Sequence, residues 1–371
     1  MVNQKRMLEE FCSLVAIDAV PFQERQMADR LKAILAQLGF TVEEDEAGDC
    51  YRGNSGNIYA YLAGTLPGDP LLFSAHMDTV EPGKNKKAVL HSDGTITSDG
   101  TTVLGADDLS GVVSILEAIQ SIREQGILHR SIEVLFTIAE EYYLKGSKIF
   151  DYRKIKAKEA YVLDLDGTIG TAAIKAPTVI GFTARFMGKA SHAGFAPEQG
   201  INAIAVAAEA ITAIQQGRID KEMTVNIGLA EGGKARNIVS AECILKGEVR
   251  CLNHQKALER INVIRESMNT AVKKYGAKLE FSISFGCIAY EVAGKHPVVK
   301  RFQNACKELS LPVKLIETFG GSDNNVFLRN GITGIVMACG MHKVHSCNEY
   351  TDIRELVQCS EVVYKLMTDK E

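Results

Sequence analysis

The feature that most constrains this chain is an apolar run that ends abruptly in a histidine and an aspartate. Residues 71–80 read LLFSAHMDTV, and the leading apolar residues are typical of a buried strand. Side chains two residues apart share a face of an extended chain, so His76 and Asp78 are expected to point the same way. An imidazole beside a carboxylate can bind a metal ion with a fixed ring orientation. The alternative is that His76 and Asp78 are surface residues without a function. The rest of the sequence decides between these two interpretations.

Two further strands are predicted to end in acidic residues. The apolar segment 132–139 runs directly into Glu140 and Glu141. The segment AYVLDLDG carries Asp164 and Asp166 in the same way. Adjacent carboxylates at the end of a buried strand are costly unless a positive group lies between them. Asp164 and Asp166 share a strand face, so either could be a ligand, and Asp164 is preferred because it follows the apolar YVL run.

Two aspartates begin a predicted helix. The stretch 104–111, LGADDLSG, leads into VVSILEAIQSIREQG, whose apolar spacing and closing Gly126 predict a helix. Asp107 and Asp108 are therefore expected at the helix N-terminus, where an aspartate commonly acts as a cap. Two in succession allow one to cap the helix and the other to reach a metal ion.

The order of the predicted elements indicates an α/β fold with an inserted domain. Strand ends rich in acids, separated by helical or hairpin connections, are typical of the crevice of an open α/β sheet. Residues 177–292 depart from this alternation, because they read β-α-β-β-α-β, the ferredoxin-like unit, with a first helix over 200–217. We expect residues 1–176 and 293–371 to form a metal-binding domain with a mixed central sheet. Residues 177–292 would form an inserted ferredoxin-like domain.

Composition and charge argue against several classes of protein. The formal net charge of -4 offers no basic field for nucleic acid or for an anionic membrane. No apolar stretch has the length that spans a bilayer, and the N-terminal sequence lacks a signal-peptide core. Nine cysteines without a CxxC pair fit reduced thiols in the cytoplasm better than a disulfide framework. The absence of a glycine-rich loop after the first strand disfavours a nucleotide-binding protein.

Two late histidines are candidates for a second imidazole in the crevice. The segment 340–349 reads GMHKVHSCNE and lies between a predicted strand and a terminal helix that begins at Asp352. Either His342 or His345 could reach the strand ends. A thiolate ligand from the neighbouring cysteines is not expected where carboxylates dominate.

Together these motifs resemble the M20 metallopeptidases, and most of all their peptidase T, or tripeptide aminopeptidase, branch. The likeness covers nearly the whole chain and rests on motifs in the family's order: HMDTV, GADDLSG, the two glutamates at 140–141, the aspartate near 164, SHAG and VHSCNE. The resemblance implies an enzyme that removes the N-terminal residue from short peptides. It also implies that residues 1–176 and 293–371 form the catalytic domain and that residues 177–292 form a lid or dimerisation domain, and it leads us to expect a homodimer.

The resemblance further implies a role for each residue of the crevice. Two zinc ions are implied, and cobalt or manganese would suit the same oxygen and nitrogen ligands. The implied ligands are His76 and Asp164 for one ion, Glu141 and His345 for the other, and Asp107 bridging both. Asp78 would hold the ring of His76, and Glu140 would be the general base that takes a proton from the metal-bridged water. The family pattern HSxxE favours His345 over His342.

Three residues of the inserted segment are implied in handling the substrate. His192 of the SHAG motif matches a family histidine that stabilises the oxyanion, often from a second subunit. His192 is not expected to bind metal. The alternative is that His192 is a turn residue without a role in the reaction. Asn237 and Arg250 match a segment that contacts substrate, although a solvated strand end would also explain Arg250. Phe319 stands where a basic residue is expected in peptidase T, which puts tripeptide selectivity in doubt.

Other functions fit the same residues. An M20-type carboxypeptidase or an N-acyl amino acid amidohydrolase would use the same metal centre, and the sequence does not separate them from an aminopeptidase. A catalytically silent peptide-binding or metal-binding protein is the alternative outside the hydrolases. Glu140 argues against it, because a silent relative needs no base at that position.

Overall fold

The computed structural model describes residues 2–370, and this part of the chain divides into two compact units. Unit 1 comprises the described residues up to Lys175, the segment Glu291–Glu317 and the described residues from Ser322 onward. Unit 2 comprises Ala176–Tyr290 and Thr318–Gly321. The short segment 318–321 thus groups with unit 2, whereas the sequence places it in the catalytic domain. Within residues 2–370, no helix combines the length and the apolar character needed to cross a membrane.

The helices are amphipathic or wholly buried segments that pack on two sheets. In chain order they are α1 (Gln4–Val15), α2 (Arg25–Gln37), α3 (Ala106–Gln125), α4 (Lys145–Ile149), α5 (Ala203–Ala213), α6 (His254–Tyr275), α7 (Pro297–Glu308), α8 (Asn324–Arg329) and α9 (Ile353–Met367). The helix predicted after the paired aspartates is α3, and nearly all of its residues from Ala106 to Ile122 are buried. Such a helix is covered on all sides, and α3 packs against α1, α9 and the central strands.

The strands follow the apolar runs seen in the sequence, together with shorter edge segments. In unit 1 they are β1 (Thr41–Glu44), β2 (Ile58–Leu62), β3 (Leu71–His76), β4 (Val89–Leu90), β5 (Thr95–Thr97), β6 (Ile132–Thr137), β7 (Glu159–Asp166) and β8 (Thr171–Ala176). Those of unit 2 are β9 (Thr178–Met187), β10 (Gly217–Asp220), β11 (Met223–Gly232), β12 (Glu242–Cys251) and β13 (Lys278–Cys287). The remainder are β14 (Tyr290–Glu291), β15 (Lys314–Glu317), β16 (Thr333–His342) and β17 (Tyr350–Asp352).

The large sheet of unit 1 is parallel at its centre and antiparallel towards its edges. Its main strand order is β1-β2-β6-β3-β7-β16-β17-β5-β4, and β6, β3, β7 and β16 are parallel neighbours. Every residue of β3 and β6 is buried, as expected for parallel strands whose two faces are both covered. The predicted α/β fold with a mixed sheet is confirmed. Because the four central strands run the same way, their carboxyl ends lie side by side.

Unit 2 is a five-stranded antiparallel sheet of order β10-β11-β12-β9-β13, and α5 and α6 pack on it. Its core includes Phe186, Val206, Leu245 and Ile261. The predicted β-α-β-β-α-β order omits β10, and the prediction of a helix as far as residue 217 is wrong. Helix α5 ends at Ala213, and Gly217, with φ +80°, begins an edge strand paired with β11. Glycine adopts this left-handed conformation at little cost, which favours a turn over a longer helix.

Candidate functional site

The candidate metal centre lies in unit 1 where the parallel strands end. β3 ends at His76, and Glu140 and Glu141 follow β6 closely. Two overlapping groups of side chains bring possible ligand atoms within 4.8 Å of one another: His76 with Asp107 and Glu141, and His76 with Glu140 and Asp164. Residues that are far apart in the sequence therefore meet at the carboxyl ends of neighbouring strands, as open α/β sheets predict.

The imidazole of His76 is buried, and hydrogen bonds on both of its nitrogens fix its orientation. Nδ1 lies 2.8 Å from the backbone oxygen of Asp78, and since a carbonyl oxygen only accepts, Nδ1 carries the proton. Nε2 lies 3.0 Å from Oδ1 of Asp107 and 3.9 Å from Oδ1 of Asp164. A divalent cation could therefore bind Nε2 together with either carboxylate. It is the main chain of Asp78 that holds the ring, because its carboxylate oxygen lies farther from Nδ1, at 3.6 Å.

His345 brings the second imidazole, and His342 does not. Nε2 of His345 lies 2.8 Å from Oε1 of Glu141 and 3.2 Å from Oδ2 of Asp107. His342 instead pairs with Glu355 and stacks on Tyr350 at a centroid distance of 4.8 Å. Because Oδ1 of Asp107 faces His76 and Oδ2 faces His345, this carboxylate lies between two imidazoles.

The structure likewise separates the two aspartates of β7. The side chain of Asp164 is 12% exposed and approaches His76, whereas Asp166 is exposed to solvent. Asp164 thus belongs to the cluster of possible metal ligands around His76, and Asp166 does not.

The cluster holds more negative charge than its two imidazoles neutralise. Burial, and then the neighbouring charge of Asp164, raise the pKa of Glu140 well above its ordinary value. Burial and Asp107 raise the pKa of Asp164 in the same direction. Hydrogen bonds to Asp107 and Glu141 raise the pKa of His345 to about 10. All three pKa values are raised, as expected where buried negative charge exceeds the positive charge available. Together with a donor set of imidazole nitrogens and carboxylate oxygens, this excess fits a site for divalent cations such as zinc, cobalt or manganese.

Side chains hold the loop that carries Glu140 and Glu141. Four successive amides after β6 donate to side-chain oxygens of three residues from other segments. Ile138 donates to Asn57 at 3.1 Å, Ala139 to Glu24 at 3.0 Å, and Glu140 and Glu141 to the two carboxylate oxygens of Asp78 at 2.9 and 3.2 Å. Asp78 therefore joins the end of β3 to the backbone of both glutamates.

The sequence allows one of the paired aspartates to cap α3, but neither does so. Oδ2 of Asp108 accepts from the amide of His76 at 3.1 Å, and neither aspartate caps the helix through its side chain. Glu349 takes that place, because it accepts from the amides of Gly105 at 2.8 Å and Asp107 at 2.9 Å. Glu349 belongs to the VHSCNE motif, but its contact with α3 joins residues 242 positions apart, for which the sequence gives no local signal.

Three further buried side chains around the site were missed by reasoning from the sequence: Glu24, Asn57 and Asp323. Oδ2 of Asp323 accepts from the hydroxyl of Thr137, the last residue of β6, at 2.6 Å. The GGSD turn contains Asp323 and was the only signal that could have singled it out. Glu24 and Asn57 carry no motif.

The candidates predicted in the inserted segment lie in unit 2. Nδ1 of His192 accepts from the amides of Gly194 at 3.1 Å and Phe195 at 3.2 Å, so the proton is on Nε2. The exposed ring of His192 therefore offers an N–H donor. Asn237 lies beside this turn, since its carbonyl accepts from Ala193 at 3.0 Å.

Arg250 is held in a separate set of contacts within unit 2. It pairs with Glu248 at 2.7 Å and donates from Nη1 to the carbonyl of Phe319 at 2.9 Å. The guanidinium of Arg218 stacks over the ring of the same Phe319 at 4.1 Å. Two arginines therefore contact Phe319, which occupies the position where the family resemblance predicts a basic residue.

Known proteins match the chain over most of its length. A model of peptidase family M20/M25/M40 matches residues 72–369. A tripeptidase from Staphylococcus aureus subsp. aureus mu50 is 33% identical, with a TM-score of 0.96 over 99% of this chain and 98% of its own. The aminopeptidase PepT from Bacillus cereus ATCC 10987 is 36% identical, with a TM-score of 0.92 over 99% and 98%. The uncharacterized protein YqjE of Bacillus subtilis (strain 168) is 37% identical over 100% of this chain and 99% of its own.

The different contacts of the two late histidines predict different metal contents. We expect the wild type to bind about two equivalents of zinc per chain and His345→Ala to bind about one, since removing an imidazole leaves a site short of ligands. His342→Ala is the matched control and should keep both. Mass spectrometry of dialysed protein measures the metal. Loss of zinc from His342→Ala, with full content in His345→Ala, would contradict this arrangement.

Proposed function

Since the chain belongs to peptidase family M20/M25/M40 and is therefore a peptide hydrolase, we propose that it is a dizinc aminopeptidase that removes the N-terminal residue from short peptides. The observation that carries the proposal is the position of Asp107 between two imidazoles, with its oxygens 3.0 Å from His76 and 3.2 Å from His345. The tripeptidase and the aminopeptidase of similar structure support the choice of substrate.

The ligand set divides into two halves around Asp107. His76 and Asp164 would hold one ion, and His345 and Glu141 the other, with a carboxylate oxygen of Asp107 for each. Such ions, when bound, polarise the scissile carbonyl and bring the pKa of a bound water towards neutrality. The distances from His76 to Asp164 and from His345 to Glu141 support this pairing. Cobalt or manganese could serve in place of zinc.

Glu140 is the proposed general base. Its carboxylate takes a proton from the attacking water as the water oxygen bonds to the scissile carbon, and then gives that proton to the amine nitrogen as the carbon–nitrogen bond breaks. Its backbone is fixed by the hydrogen bond to Asp78, and its side chain is buried beside Asp164. Glu140 thus needs little reorganisation to act.

His192 is the proposed donor to the oxyanion that forms on the scissile carbonyl. Its Nε2–H is exposed and oriented by the two amides that bind Nδ1. We propose that the protein is a homodimer in which a neighbouring subunit can supply this donor. Asn237, whose carbonyl accepts from the amide of Ala193, would contact the substrate.

Recognition of a short peptide also requires a group for its terminal carboxylate. Arg218, whose guanidinium stacks over the ring of Phe319, is proposed to supply the positive charge that Phe319 itself lacks. Arg250, which is paired with Glu248 and donates to the carbonyl of Phe319, is proposed to contact the substrate. A carboxypeptidase or an N-acyl amino acid amidohydrolase would accept substrates with a blocked amine. Comparing cleavage of substrates with a free N-terminal amine and of substrates with a blocked one therefore distinguishes the candidate functions.

The substrate is tested with a peptide panel. Free tripeptides, N-blocked tripeptides, C-terminally amidated tripeptides, dipeptides and N-acetyl amino acids would be incubated with zinc-loaded protein and with a chelated control. We expect chelator-sensitive release of the N-terminal residue from free tripeptides, and a fall of about 10²-fold or more in kcat for Glu140→Gln with zinc content unchanged.

Each other outcome of the panel has a meaning. Cleavage of the blocked substrates alone would assign the chain to the amidohydrolase or carboxypeptidase function. Silence of the wild type across the panel would contradict the tripeptide proposal and favour a binding protein. Full activity in Glu140→Gln would remove that residue from the role of base.

The role of His192 is tested separately. We expect His192→Ala to lower kcat by about 10²-fold, because an oxyanion donor acts mainly in the transition state, and to retain zinc. Sedimentation velocity should show a dimer. Release of zinc from His192→Ala would contradict its place as a donor, and a fully active monomer would exclude help from a second subunit.

A further inference from the structure

Glu24 is a buried carboxylate of unit 1 that the proposed reaction does not use. It lies directly before α2 and has no exposed surface. A polar residue at this position commonly caps its own helix, yet Glu24 makes no side-chain hydrogen bond to the amides of α2. Its Oε1 accepts from the amide of Phe22 at 2.9 Å and from that of Ala139 at 3.0 Å. Glu24 therefore connects the chain before α2 to the loop after β6.

Ala139 has an unusual backbone conformation that needs support. Its φ of +46° is left-handed, which L-residues other than asparagine and aspartate rarely adopt. It immediately precedes Glu140, so its dihedrals set the plane of the peptide from which Glu140 projects. The carbonyl of Ala139 accepts from Lys145 at 3.1 Å, and its amide depends on Glu24.

Ala139 is the second of four successive residues, 138–141, whose amides donate to side chains. The amides of its neighbours in this row have other acceptors. Asn57 accepts from Ile138, and Asp78 accepts from Glu140 and Glu141. Both carboxylate oxygens of Asp78 are engaged with amides farther along the loop, so Glu24 is the acceptor for the amide in the middle of the row. Without that acceptor, a buried N–H would lose its partner, and Ala139 could turn to an ordinary negative φ.

We propose that Glu24 is a positioning residue for hydrolysis: its hydrogen bond to the amide of Ala139 keeps that residue left-handed and so fixes the direction in which Glu140 reaches the reacting water. This inference rests on the proposed function of Glu140 as base. A general base acts only within hydrogen-bond reach of the proton that it takes, so a small rotation of the 139–140 peptide costs turnover. The proposed ligands on β3, α3 and β7 lie outside this loop. Glu141 lies within it but keeps its own acceptor, Asp78, so metal content and substrate binding should change little.

Three variants of Glu24 distinguish its role as a hydrogen-bond acceptor from its role in filling space. Glu24→Gln keeps an oxygen that can accept from both amides, whereas Glu24→Ala removes it. Glu24→Asp keeps the charge but withdraws the oxygens by one methylene, and it serves if the alanine variant does not fold. We expect Glu24→Ala and Glu24→Asp to lower kcat by about 10- to 100-fold, with KM within about twofold of wild type and zinc retained. We expect Glu24→Gln to keep kcat within about threefold of wild type.

Glu133 provides the matched control. It is a fully buried acid on β6 that accepts from the amides of Lys156 and Ala157 and from the hydroxyl of Tyr59. Glu133→Ala also deprives buried donors of their acceptor, so it should lower the melting temperature. Its kcat per folded molecule should stay within about twofold of wild type, because the loop after β6 is not held by it.

Amide hydrogen exchange reports whether Glu24 holds the loop after β6, and it does so whether or not the protein is active as a peptidase. Measured by mass spectrometry on zinc-loaded protein, exchange in a peptide covering residues 137–144 should be faster in Glu24→Ala and Glu24→Asp, but not in Glu24→Gln or Glu133→Ala. Inactivity of the wild type would overturn the proposed function and leave this measurement valid. Wild-type kcat in a folded Glu24→Ala or Glu24→Asp, unchanged exchange, or an equal loss of kcat in Glu133→Ala would overturn the role of Glu24.

Discussion

Burying several carboxylates together is unfavourable unless each negative charge meets a hydrogen-bond donor or a cation, and this constraint governs the site. The buried and half-buried acids divide into two sets. Asp78, Glu24 and Glu349 accept from backbone amides and so hold the loops in place. Asp107, Glu141, Asp164 and Glu140 face imidazoles or one another, and their charge calls for divalent cations. The first set positions the second.

The parallel centre of the large sheet makes this division possible. Neighbouring strands end side by side, so the end of β3 and the loop after it carry His76 and Asp78, and the loop after β6 carries the two glutamates. Asp78 joins the two loops, since it follows β3 and binds the amides of Glu140 and Glu141. The imidazole of His76 is oriented by the carbonyl of the same Asp78. Asp78 thus relates a proposed metal ligand to the proposed base.

The sequence predicts the strand ends, the central helix and the cluster of acids, because each follows from a local apolar pattern that stops at a polar residue. The choice of His345 over His342 rested on the family pattern HSxxE, and the contacts with Asp107 and Glu141 agree with it. The acceptors Glu24, Asn57 and Glu349 were not predicted, since their partners lie 115, 81 and 242 positions away. No local pattern encodes such contacts. For the same reason the sequence allowed one of Asp107 and Asp108 to cap α3, a role that Glu349 fills.

The central claim is that Asp107 lies between two metal ions held by different histidines. Anomalous X-ray diffraction from crystals of the zinc-loaded protein, recorded on both sides of the zinc absorption edge, tests it most directly. We predict two anomalous peaks in unit 1, one bonded to His76 and Asp164 and the other to His345 and Glu141, with Asp107 in contact with both. A single peak, or a second peak bonded to His342 or Asp166, would contradict this account.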